Sequence, residues 1–182
     1  FSDINPIQRY EALPTQGVIN DKYNGNYEGV ARANSVLKLL LTADPSVTDA
    51  EKLSFEAQAK FLRAHGYFEL KRGFNNTPYV DETIDVGSGI SEVKNDADLW
   101  PKIEADLQFA VTNLPETQSQ VGRVNKSAAK AYLAKVYMYQ GKFAPAKALF
   151  DDLIANGKTS NGKKYGLVAK YADVFKASND NN

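Results

Sequence analysis

Residues 133–150 read LAKVYMYQGKFAPAKALF, and this stretch constrains the fold more than any other. Ala134 and Ala146 are small enough to let two antiparallel helices cross closely. Gly141, between them, supplies the backbone freedom for a tight turn. Tyr137 and Phe150 are placed to fill the wedge beside such a pair. Alanine-lined crossings of this kind predict an all-α chain built from antiparallel helical hairpins.

Leu133, Ala134, Tyr137, Gly141, Phe143, Ala146 and Phe150 fall at tetratricopeptide-repeat (TPR) spacing. An earlier stretch repeats the pattern. FLRAHGYF at residues 61–68 aligns with AYLAKVYM at residues 131–138, matching Ala64 to Ala134 and Tyr67 to Tyr137. The partner helix of that first TPR-like hairpin is expected at residues 100–114, with Ala105 in the role of Ala146. An inserted loop separates the two.

The remaining periodicity fills in the order of elements. Residues 1–27, with Pro6, Pro14, Gly17 and the cluster NDKYNGNYEG, read as loop. Val30, Ala33, Leu37, Leu40 and Leu41 line one face of a first helix. Thr48-Asp-Ala-Glu51 is a capping box that opens a second. That helix carries two apolar stripes: Leu53, Ala57, Phe61, Ala64 and Phe68, and Phe55, Ala59, Leu62, Gly66 and Leu70. Residues 28–73 therefore form a helical hairpin, residues 74–95 an inserted loop and residues 96–157 TPR-like helices. Asn125 caps one of these helices and Pro145 lies near the start of the next. YGLVAKYADVF, at residues 165–175, is an apolar segment expected to dock on the last helices, so residues 158–182 form a docking segment and tail of a single helical domain.

Composition narrows function by exclusion. The 22 basic and 22 acidic residues cancel, which leaves no field to attract nucleic acid. The absence of cysteine removes disulfides, thiol catalysis and Cys-based zinc sites. No apolar run approaches the length of a membrane span. The chain begins at Phe1 without a starting Met or a signal-like segment and ends in SNDNN, and it reads as a piece of a longer protein.

No catalytic constellation emerges. His65, the single histidine, faces Phe61, Leu62, Phe68 and Glu69 at helical spacing, and it reads as a structural or surface residue. Asp151 and Asp152 diverge around a helix, as do Glu104 and Asp106, so neither makes an acid/base pair. Asp81, Glu82 and Asp85 share a loop but lack the alternation of a calcium loop. No metal and no cofactor are expected. The better candidate for a ligand is NDKYNGNY, where Tyr23 supplies a ring and Asn20, Asp21, Asn24 and Asn26 supply donors and acceptors. A planar ring can cover the apolar face of a sugar while amides satisfy its hydroxyls. Tyr27 is expected to pack beneath the first helix.

Taken in order, YEGVARANSVL (residues 27–37), AKFLRAHGYFEL…TPYV (residues 59–80) and WPKIEADLQFAVTNLP (residues 100–115) resemble the SusD/RagB family of nutrient-binding outer-membrane lipoproteins of Bacteroidetes. GRVNKSAAKAYLAKVYMYQGKFAPAKALFDDLI (residues 122–154) and YGLVAKYADVF continue the match. Family members have several hundred residues, and the resemblance covers their TPR-bearing part. Asn75-Asn76-Thr77 stands where the family has Gly-Asp before its Val-Pro step. The resemblance implies a non-catalytic, surface-exposed protein of the outer membrane, held by a lipid anchor absent from this chain. Such a protein captures an oligosaccharide and delivers it to a SusC-type TonB-dependent transporter. It also implies that Trp100 is a packing residue at a helix start. Other readings are a TPR-type adaptor that binds peptides, a SusD-like protein with peptide cargo, and a glycan hydrolase.

Overall fold

The computed structural model describes residues 4–84, 87 and 89–176. Within them run helices α1 (Asn5–Gln8), α2 (Gly17–Leu40), α3 (Asp49–Phe74), α4 (Leu99–Asn113), α5 (Lys126–Tyr139) and α6 (Phe143–Asn156), with 3₁₀ turns at Ile90–Glu92 and Tyr171–Phe175. Among the described residues the only β pairing is an isolated antiparallel bridge, Lys158 to Lys164. The all-α class stands as the sequence predicts. Two compact units divide the chain, Phe1–Asp106 and Leu107–Asn182, with the boundary inside α4.

In the first unit α2 and α3 lie antiparallel, joined by the contacts of Lys22 with Glu69 and Asn34 with Arg63. The capping box forms as expected. The Thr48 hydroxyl accepts from the Glu51 N–H at 3.3 Å, and the Glu51 carboxylate accepts from the Thr48 N–H at 2.9 Å. Burial on α3 is heaviest from Ala57 onward, whereas Leu53, Phe55 and Leu62 are exposed, so the two stripes are not both covered. Gly66 marks a close approach of the pair. A Cβ there would lie 2.8 Å from Val30 Cγ2 and 3.2 Å from the Asn26 carbonyl oxygen.

The loop expected over residues 1–27 is corrected: α2 begins at Gly17. Ile19, Tyr23, Asn26, Tyr27 and Val30 continue one partly covered face at helical spacing. That burial offsets the poor helix propensity of Gly25 and Gly29, which face open space on the other side.

Ala105 is also corrected. It is exposed, while Leu99, Ile103 and Asp106 form the buried side of this end of α4. The Arg63–Asp106 pair fixes that rotation, with Nε to Oδ2 at 2.7 Å and Nη2 to Oδ1 at 2.9 Å. Trp100 packs at the helix start beside Phe68, ring centroids 6.1 Å apart.

In the second unit α5 and α6 form a hairpin crossing on Ala134 and Ala146, both fully buried. Gly141 turns it with φ of 71°. Lys130 on α5 meets Asp152 on α6 at 2.6 Å. The Asn125 side chain accepts from the Ala128 N–H at 3.0 Å and donates to the carbonyls of Glu116 and Lys158, both at 2.8 Å. One cap thus ties two loops to the start of α5. Phe150 is 38% exposed and does not fill a wedge. The docking segment is corrected as well. Tyr165 lies against Gly157, but Leu167, Tyr171 and Phe175 are exposed. Tyr165 and Leu167 border α6 at Phe150, Leu153 and Ile154, whereas Tyr171 and Phe175 lie on a 3₁₀ turn, so only the start of the segment meets α6.

Gly66→Ala is expected to destabilise the chain by about 1–3 kcal/mol, because the methyl group meets Val30 and backbone. Gly29→Ala, in open space on the same hairpin, is expected to stabilise it by about 0.5–1 kcal/mol. Urea denaturation of both variants measures the difference.

Candidate functional site

The first unit is organised around a buried charge. Arg63 is 4% exposed and its guanidinium reaches three partners. It binds Asp106 in a fork, donates to Asn34 Oδ1 at 3.0 Å and pairs with Glu82. Burial alone lowers an arginine pKa, but the hydrogen bonds and charge of Asp106, with Glu82, more than reverse it. Burial lifts the Asp106 carboxyl above the ordinary aspartate value, and Arg63 opposes the rise. The pair is held as ions by fork geometry.

Around this hub the segment from Thr77 to Glu82 is pinned to both helices. Tyr67 Oη donates to the Val80 carbonyl and accepts from the Val80 N–H, each at 2.6 Å. Asn34 Nδ2 donates to the same carbonyl at 2.9 Å, and Tyr27 Oη donates to the Pro78 carbonyl at 2.6 Å. Burial raises the phenols of Tyr27 and Tyr67 and pushes Tyr79 up to about 12, so all three remain neutral. Lys102 Nζ stands 5.1 Å from the Tyr79 ring centroid.

Between α2 and this pinned segment lies a cleft of about 480 Å³. Its floor is apolar, from Tyr27, Val30, Ala31 and Val80, and Glu28, Ser35, Lys38, Asp81 and Glu82 bring polar groups to it. That size and composition suit a small-molecule site.

Sequence reasoning placed the ligand residues on a loop; they lie on the first turns of α2. Tyr23 packs on Tyr27 at 4.9 Å and edge-on to Phe74 at 5.1 Å, and it remains partly open. Asn20 and Asn24 are exposed; Asn20, three residues before Tyr23, shares its side of the helix, and Asn24 lies about 100° around the axis from Tyr23, next to Asn20 at i,i+4 spacing. Asp21 sits about 160° around the axis from Tyr23 and is not brought into the group. The Asn26 side chain folds back, donating to the Lys22 carbonyl at 2.7 Å. Tyr27, expected beneath the first helix, lies on that helix instead: its ring meets Tyr23 and Tyr67, and its hydroxyl reaches the Pro78 carbonyl.

Other readings resolve simply. His65 is exposed and, with Lys22 and Arg72, helps hold the Glu69 carboxyl low against the upward push of burial. Asp81 accepts from the Thr83 N–H and hydroxyl, and Glu82 belongs to Arg63. Asp85 lies outside the described residues. The cleft and the Arg63 hub escaped sequence reasoning. Their available signal was a charge at Arg63 and at Asp106 on the inward phase of two otherwise apolar helices.

A frame of antiparallel helices thus holds an apolar-floored, polar-rimmed cleft. The family model described as SusD-like, starch-binding associating with outer membrane, matches residues 3–138. The chain belongs to the SusD-like family. A SusD-like protein of Bacteroides ovatus is 30% identical over 177 residues, covering 90% of this chain and 31% of the relative. The chain thus spans about a third of that relative's length. A solved laminarin-binding SusD-like protein superposes with TM-score 0.82 at 32% identity, over 100% of this chain and 39% of that one. Surface glycan-binding protein A from Bacteroides thetaiotaomicron, solved in complex with laminarihexaose, gives 0.79 at 26% identity, over 97% of this chain and 36% of that one.

Tyr67→Phe removes the partner of the Val80 N–H, while Asn34 still serves the carbonyl. The variant is expected to lose about 1–3 kcal/mol of stability. Amide exchange at Val80 is expected to accelerate more than exchange along α5, which hydrogen-exchange NMR measures.

Proposed function

We propose that this chain is the helical part of an outer-membrane, surface-exposed glycan-binding protein. It captures an oligosaccharide without chemical conversion and passes it to a SusC-type TonB-dependent transporter. The observation that carries the reading is the cleft on α2, floored by Tyr27, Val30, Ala31 and Val80 and rimmed by ionisable and hydroxyl side chains. An oligosaccharide needs this pairing of surfaces, since its rings have apolar faces and its hydroxyls demand partners. Tyr23, Asn20 and Asn24 extend the surface one to two turns toward the start of the helix, so a sugar chain can lie along α2. Asp21 and Asn26 flank this path rather than line it. The laminarin and laminarihexaose bound by the structural relatives make β-glucan oligosaccharides the first cargo to test.

Isothermal titration with laminarihexaose and a panel of neutral oligosaccharides tests this reading. Binding is expected in the wild-type chain, with Tyr23→Ala weakening it about tenfold, equivalent to about 1.4 kcal/mol. Absence of binding across the panel, with a peptide library binding instead, would replace glycan by peptide cargo. Co-purification of the full-length protein with its transporter tests the partner.

A further inference from the structure

The second unit holds a polar hollow of its own. It encloses about 430 Å³ beside the start of α5 and the end of α6. Lys130, Lys158, Lys164, Ser127, Glu116 and Asp152 contribute to its lining. The hairpin that supplies two of these lysines is held by two backbone hydrogen bonds. Thr159 donates to the Lys163 carbonyl at 2.8 Å and Tyr165 donates to the Gly157 carbonyl at 3.0 Å. Those bonds flank Lys158 and Lys164, which makes them the non-hydrogen-bonded pair of the bridge. In such a pair the side chains emerge on the same face at their closest spacing, and two like charges there repel.

The surrounding carboxylates do not relieve this. Asp152 is engaged by Lys130 at 2.6 Å and by Asn156 at 2.9 Å. Among the described residues, no ion pair involves Lys158 or Lys164. Three ammonium groups against two carboxylates leave the lining with an excess of one positive charge. The hairpin is also not free to spread its lysines. The Lys158 N–H donates to the buried Ser127 hydroxyl at 3.0 Å, and its carbonyl accepts from Asn125. The backbone therefore holds two cations together at the mouth of a hollow that offers hydroxyl and carboxylate partners beside them.

We propose that this hollow is a second binding site, specific for an anionic saccharide: a sugar whose carboxylate or sulfate ester sits between Lys158 and Lys164. Its neutral hydroxyls would meet Glu116 and the Ser127 side of the hollow. The proposal deepens the glycan reading by adding charge selection, and it rests on that reading only for the word saccharide.

The test titrates the 182-residue chain with laminarihexaose, an oligogalacturonate, a sulfated oligosaccharide and inorganic sulfate, at constant ionic strength. The variants are the double substitution Lys158→Gln/Lys164→Gln and the control Lys163→Gln, whose side chain leaves the opposite face of the hairpin. At least one anionic oligosaccharide is expected to bind the wild type and Lys163→Gln alike and to weaken at least tenfold in the double variant. Laminarihexaose affinity should be the same in all three. Which acid binds separates carboxylate from sulfate. In the absence of ligand the double variant should melt higher than wild type, since the repulsion is gone. Equal anionic binding in the double variant, or an equal loss in Lys163→Gln, overturns the site. Binding of free sulfate as tight as that of the sulfated sugar overturns the saccharide assignment. Loss of laminarihexaose binding alone touches the cleft on α2 and leaves this proposal standing.

Discussion

The geometry of the first unit depends on one buried cation. Arg63 leaves the middle of α3 and is satisfied by groups from α2, from α4 and from the segment between them. Removing one partner of such a network leaves an uncompensated buried charge, a cost of about 3–5 kcal/mol. Apolar packing of similar volume could stabilise the unit as well, but it would not specify orientation. A guanidinium fork accepts only a narrow set of positions for Asp106, Asn34 and Glu82. The inward turn of α4 and the course of residues 77–82 follow from that set. So does the wall of the cleft.

Tyrosine completes what arginine begins. Tyr67 closes both backbone groups of Val80, and Tyr27 takes the Pro78 carbonyl. A segment with no regular secondary structure is thereby held by side chains rather than by a ladder, which satisfies its backbone without a sheet. Frame and cleft share residues: Tyr27, Val30 and Asn34 pack the hairpin with one edge and line the cleft with another. The second unit uses the same economy, with Asn125 capping α5 while fixing the loops at Glu116 and Lys158.

Much of the frame was legible. The capping box at Thr48, the turn at Gly141 and the crossing at Ala134 and Ala146 depend on local chemistry, which a sequence states directly. The start of α2 was not, because residues 17–27 carry glycines and asparagines that speak for a loop, and only burial against α3 makes them helical. Ala105 misled for a related reason: its spacing fits a crossing, but the ion pair at the next residue sets the rotation. The candidate site was half legible. Tyr23 and its neighbouring amides were visible as a composition, whereas the cleft is made by contacts between residues 46 positions or more apart, such as Asn34 with Val80 and Tyr27 with Pro78. Periodicity has no access to those.

The central claim is that α2 and the pinned segment beside it form the surface that receives a sugar chain. Hydrogen–deuterium exchange of the chain with and without saturating laminarihexaose tests it most directly. The account predicts added protection confined to residues 20–38 and 78–82, with α5 and α6 unchanged. Protection absent from both segments while the ligand is demonstrably bound, or confined to the second unit, would contradict it.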